Sequence, residues 1–213
     1  MPTPTWDRLR PERRERILVA AEAEFGSHGF SRASLNTIAR EAGVAKGSLF
    51  QYFEDKADFY AHLSGLAALR IRHEMESTIA RLDFEHDFFG SLFEVFVAWD
   101  DYFASHPSDL AMTAAVNLES DPGARMAVRQ AVNVHYLETM GPVLATGVES
   151  GQLRADADLQ TFGAMLLLLL PHLALAPQTP GLDPVLRLEE LDRAGRQHAL
   201  RGLTTMLQRA FGS

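Results

Sequence analysis

The sequence predicts an all-α fold: an N-terminal three-helix domain followed by a larger helical domain. Three observations carry that expectation. Almost every extended segment repeats its apolar residues at helical spacing, and none alternates them as a strand would. The punctuation suits helices, with Pro11 and Pro122 at starts and Gly29, Gly43 and the stretch 147–151 at stops. A chain of 213 residues with 46% hydrophobic content can bury a sizeable core. It has no cysteine, so disulfides, thiolate zinc sites and cysteine nucleophiles are excluded.

The elements follow in order. The first helix starts near Pro11, with Glu12 and Glu15 early enough to favour its positive end. Ile17, Ala20, Ala21 and Phe25 form its apolar stripe, and Gly29 stops it. Two short helices, 34–42 and 46–52, flank a turn at Gly43, and Glu54-Asp55 opens a long helix to about Leu82. An aromatic-rich helix over 84–105 is closed by His106-Pro107, and a short one covers 109–116. Asp121-Pro122 begins a long helix to about Val148 that Pro142 is expected to kink. A nearly all-apolar helix over 156–175, a loop over 177–184 and a last helix over 189–211 complete the chain.

The net charge of −8 is unevenly spread. Residues 1–56 carry nine Lys and Arg against eight Asp and Glu, a net +1, which leaves −9 on residues 57–213. A locally basic N-terminal segment can approach DNA although the body repels it. The only two lysines, Lys46 and Lys56, lie in that segment. Residues 1–16 lack the apolar core of a signal peptide, and the apolar run 164–176 is too short to span a bilayer. A cytoplasmic protein with no membrane partner is expected.

Residues 35–54, LNTIAREAGVAKGSLFQYFE, make two short helices around a glycine turn. Ile38 and Leu49 can pack between them, Ala39 permits close approach, Gly43 takes the turn and Val44 plugs the core. The pattern fits a helix-turn-helix whose second helix enters a major groove, and also an ordinary helical hairpin. The polar residues favour the first. Lys46, Ser48 and Gln51 stand on the second helix, where Gln can pair with adenine and Lys or Ser can reach guanine or phosphate. Phe50 can meet a thymine methyl or a sugar. Lys56 lies where the helix dipole disfavours a cation, a placement that a bound phosphate would explain. Ser34 can cap its helix and offer a second phosphate contact.

The ordered string Gly29-Phe30, Ser34, Ile38-Ala39, 42–53 and Asp55-Lys56 closely resembles the N-terminal domain of the TetR (tetracycline repressor-like) family. The resemblance covers about residues 12 to 60. It implies an all-helical homodimer with a helix-turn-helix domain, residues 1–56, on a ligand-binding and dimerisation domain, residues 57–213. It further implies a repressor that binds a palindromic operator and is released by a small-molecule effector. The DNA-contacting set is then Ser34, Lys46, Gly47, Ser48, Phe50, Gln51, Tyr52 and Lys56. Ala45 and Phe50 stand where many members have serine and tyrosine, so phosphate contact carries over better to Tyr52 and Lys56.

In the second part, the apolar helix over 156–175 must be covered on more than one side, and Leu191, Leu200, Leu203, Leu207 and Phe211 form a second seam. The resemblance implies that these two helices pair with their copies. The aromatic crowd between Phe88 and Phe103, with a few embedded polar groups, suggests an apolar pocket. Its candidate lining is Phe89, Phe93, Phe96, Trp99, Asn117, His135, Leu166 and Leu170, for an effector that is largely apolar or aromatic. Helical phase puts Asp101 in solvent and leaves Asp100 open. If Asp100 faced inward without a partner, a cationic effector would follow. No glycine-rich phosphate loop or nucleophile elbow is present, and His73 with Glu76 or His135 with Glu138 lacks a third metal ligand. Neither catalysis, a metal nor a cofactor is expected. The alternative is a DNA-binding protein that responds to no ligand.

Overall fold

A computed structural model describes residues 2–213. Ten α-helices are found among them: α1 (Pro4–Asp7), α2 (Pro11–Arg32), α3 (Leu35–Glu41), α4 (Lys46–Tyr52), α5 (Lys56–Ile79), α6 (Phe88–Ser105), α7 (Pro107–Asn117), α8 (Pro122–Glu149), α9 (Leu159–Leu175) and α10 (Arg193–Phe211). Two short 3-10 turns, Ala176–Gln178 and Leu188–Glu190, lie between α9 and α10. Among the described residues there is no strand, only an isolated bridge between Leu153 and Gly212.

Several ends are set by short polar caps. Asp87, Asp158 and Asp192 accept from the backbone N–H three residues on and start α6, α9 and α10. Each such cap is worth about 1 kcal/mol. These caps start α6, α9 and α10 three to four residues later than the apolar pattern does. α8 continues through Pro142. α1 was not expected, because four residues carry no periodicity.

The chain divides into two compact units. The first runs to Arg70 and takes in Pro107–His135; the second comprises Ile71–His106 and Tyr136–Ser213. In the first, Ile17, Phe25, Ile38, Leu49, Phe53, Phe59, Tyr60 and Leu63 are all but completely buried. Phe53 stacks on Phe59 at 4.1 Å between centroids, and Phe25 meets Phe59 edge-on at 5.8 Å. Burying each such ring contributes roughly 1.5–3 kcal/mol. α2 packs along α7.

In the second unit α6 is buried nearly all round, packed against α9 and α10. Phe162 of α9 stacks on Phe211 of α10 at 4.4 Å. Leu159–Gln178 is long and apolar enough, by length and composition, to cross a membrane. This corrects the expectation of too short a run: Pro171 and His172 lie within the helix instead of ending it. Its Phe162, Leu166, Leu170 and Leu173 are buried on one side, while Leu168 is exposed.

Candidate nucleic-acid interface

α3 and α4 form the helix pair. Gly43 between them has φ +66°, a left-handed turn that a side chain would strain. Val44 N–H donates to Ala39 O at 2.9 Å, which closes the turn. Ile38, Ala39 and Leu49 are buried at the contact. Ser34 caps α3 by accepting from Thr37 N–H at a long 3.4 Å, while its own N–H donates to Glu24 at 2.8 Å.

With Leu49 inward, the opposite side of α4 is free. Lys46, Gly47 and Gln51 are exposed, Ser48 is partly so, and Phe50 keeps 49% of its surface in solvent. No atom lies within 4 Å of where a Cβ on Gly47 would sit, so packing inside the protein does not demand a glycine there. Two positively disposed groups differ in setting. Lys46 begins α4 in the open, whereas Lys56 is half-buried with its Nζ 4.7 Å from the Phe30 ring centre. Burial lowers the Lys56 pKa, against the opposing carboxylates of Glu119 and Glu24. The start of α5 is capped by Asp55, whose Oδ1 accepts from Asp58 N–H at 2.8 Å. The placement of Lys56 thus has an internal account, a cation over a ring near two carboxylates, and needs no phosphate. Tyr52, expected to meet phosphate, is buried at 3% exposure with its ring 5.8 Å from Trp6.

Two residues near this site were missed from sequence. Glu119, in the α7–α8 connection, is buried at 7% exposure. It accepts from Phe30 N–H at 3.0 Å, Ser31 Oγ–H at 3.3 Å and Asp121 N–H at 2.8 Å. It thereby holds the chain just beyond Gly29, where φ is +65° and α2 breaks. Trp6 is the other, buried beside the end of α4.

The candidate effector residues separate. Phe89, Phe93, Phe96, Trp99, Leu166 and Leu170 are buried in the second unit, and Trp99 Nε1–H donates to Leu170 O at 2.8 Å. Asn117 and His135 belong to the first unit. Asn117 donates to Thr113 O and accepts from Arg129, which ties the end of α7 to α8. Asp101 is partly exposed and paired with Arg193 at 2.7 Å. Asp100 does face inward, at 7% exposure, but Arg196 Nε donates to both its oxygens at 2.9 and 3.0 Å. Asp100 is therefore paired within the chain and calls for no cation. Among the described residues no group of three or more His, Cys, Asp or Glu could hold a metal ion. Glu76 and Glu138 both pair with Arg72.

The family model for bacterial regulatory proteins of the tetR family matches residues 17–63. A transcriptional repressor of Brucella suis, BepR, is 39% identical over 72 residues, 34% of each chain. The chain spans between 31% and 44% of the length of the first curated relatives it matches. Its fold is that of whole TetR-family structures. A regulator from Chloroflexus aurantiacus covers 100% of this chain and 99% of its own, with TM-score 0.63 and 22% identity. FadR of Bacillus subtilis, solved with stearoyl-CoA, covers 89% and 96%, with TM-score 0.68 and 19% identity. Residues 17–63 thus carry the tetR-family regulatory segment, and the whole chain shares the fold of solved TetR-family regulators.

Proposed function

We propose that this chain is a cytoplasmic transcriptional repressor that binds a palindromic operator as a homodimer and is released by a small-molecule effector. The observation that carries the reading is α4, a helix anchored by Leu49 that presents Lys46, Gly47, Ser48, Phe50 and Gln51 outward. Lys46 supplies phosphate attraction, Gln51 reads a base edge, and Phe50 contacts a methyl or sugar. Ser34 supports the start of α3, while Tyr52 and Lys56 hold the helix pair from behind. The reading domain is residues 1–56; residues 57–213 bind effector and dimerise.

The effector is largely apolar or aromatic, since the second unit buries Phe89, Phe93, Phe96, Trp99, Leu166 and Leu170 and the inward Asp100 beside them is neutralised by Arg196. FadR, which shares the fold, was solved with stearoyl-CoA, a ligand with a long acyl chain. An effector releases DNA only if it binds the released conformation more tightly. The experiment is fluorescence anisotropy with DNA from upstream of the gene. Specific binding is expected to lose one-position selectivity in Gln51→Ala, while Lys46→Ala weakens all sequences alike and lowers the salt slope by about one. Equal affinity for upstream and random DNA would refute the reading.

A further inference from the structure

α4 has only seven residues, far below the length at which a helix holds itself together. Its last carbonyls need partners from elsewhere. Two of them find the same residue: Thr3 Oγ1–H donates to Gln51 O at 2.6 Å, and Thr3 N–H donates to Tyr52 O at 2.8 Å. Directly after Thr3, α1 delivers Trp6 into the core at 2% exposure. The indole lies 4.9 Å from Phe53, 5.8 Å from Tyr52 and 5.8 Å from His62, ring centre to ring centre. Behind it, Arg14 of α2 donates to Asp7 O at 2.9 Å and holds its guanidinium 5.8 Å from the indole. The stretch Thr3 to Asp7, which periodicity leaves blank, is therefore fastened at one end to the reading helix and at the other to α2.

We infer that Thr3 and Trp6 are positioning residues for operator reading: they cap the C-terminal end of α4 and fix it in one pose without touching DNA. The inference rests on the proposed role of α4. The cap removes the freedom of the two residues, Gln51 and Tyr52, that stand at or beside the base-reading position. An α4 that frays at this end reaches its bound pose only part of the time, and apparent affinity falls by that fraction.

Thr3 has φ −75° and ψ 160°, a conformation proline shares, so Thr3→Pro removes both donors without bending the backbone. Trp6→Ala removes the anchor, and Trp6→Phe keeps a ring in its place. The full-length variants are compared by hydrogen exchange and by operator anisotropy at several salt concentrations. Thr3→Pro and Trp6→Ala are expected to lose protection at amides 50–53 while those of α6 stay as in the wild type. Operator affinity should fall about tenfold with the salt slope unchanged, since two hydrogen bonds are lost and no phosphate contact is. Trp6→Phe should recover most of both. Unchanged exchange at 50–53 would overturn the inference. So would a salt slope that drops by about one, because the segment would then be an arm lying on the phosphates. If the wild type binds no operator the functional reading fails, yet exchange still decides whether the cap exists.

Discussion

His62 shows how one side chain can tie fold to pH. Trp6 and Phe53 cover it, its Nε2 is buried with no hydrogen-bond partner, and burial lowers its pKa against the pull of Asp58 and Asp7, with Arg14 adding to the lowering. The folded chain thus prefers the neutral ring, while the unfolded chain titrates near the ordinary 6.5. Between those two values the unfolded chain binds more protons, so stability rises with pH across that window. It is complete above the ordinary value and is lost as pH falls toward the folded one. Urea midpoints between about pH 7.5 and about pH 5 should fall for the wild type and fall less for His62→Gln, which cannot titrate. Equal falls in both would assign the dependence elsewhere. The neighbourhood of His62 was invisible in the sequence, because Trp6 reaches it from far along the chain. Asp100 is a half-legible case: its phase left it open, and the Arg196 that settles it is 96 residues away.

At the scale of elements, what could be read in advance was what neighbours in sequence decide. The α3–turn–α4 unit is set by Ile38, Gly43 and Leu49 within one short string, and the whole of it was legible. The link from the α7–α8 connection to Phe30 and Ser31 was not, since a lone Glu119 carries no local pattern. That carboxylate ties the α7–α8 connection to the end of α2 inside one compact unit. Glu119→Ala leaves the part-buried N–H donors of Phe30 and Asp121 unmatched and should cost about 1 kcal/mol of stability. Glu119→Gln keeps an acceptor and should cost less. Chemical denaturation of both variants checks the order; an Ala variant as stable as the wild type would show that water or a rearranged loop replaces the carboxylate.

For the whole molecule, the apolar excess of α9 is the feature that most needs a second copy. Its Leu168 is 76% exposed, and Met206 of α10 is 50% exposed. Leu169 and Leu203 of the same helices are only partly exposed. Leu168→Glu and Met206→Glu should give a monomer by sedimentation with helicity unchanged, because an unpaired charge is costly only once the face is covered. A dimer that survives both substitutions would put the two-fold on another surface. One further property follows from where two rings lie. The chain has two tryptophans, Trp6 at 2% exposure in the first unit and Trp99 at 3% in the second. Each unit therefore carries its own fluorescent reporter. With Trp99→Phe, the remaining emission reports only on the fastening of α4; with Trp6→Phe, it reports only on the aromatic cluster around α6. Light from a single residue can thus time, one half of the protein at a time, which half responds first when an effector arrives.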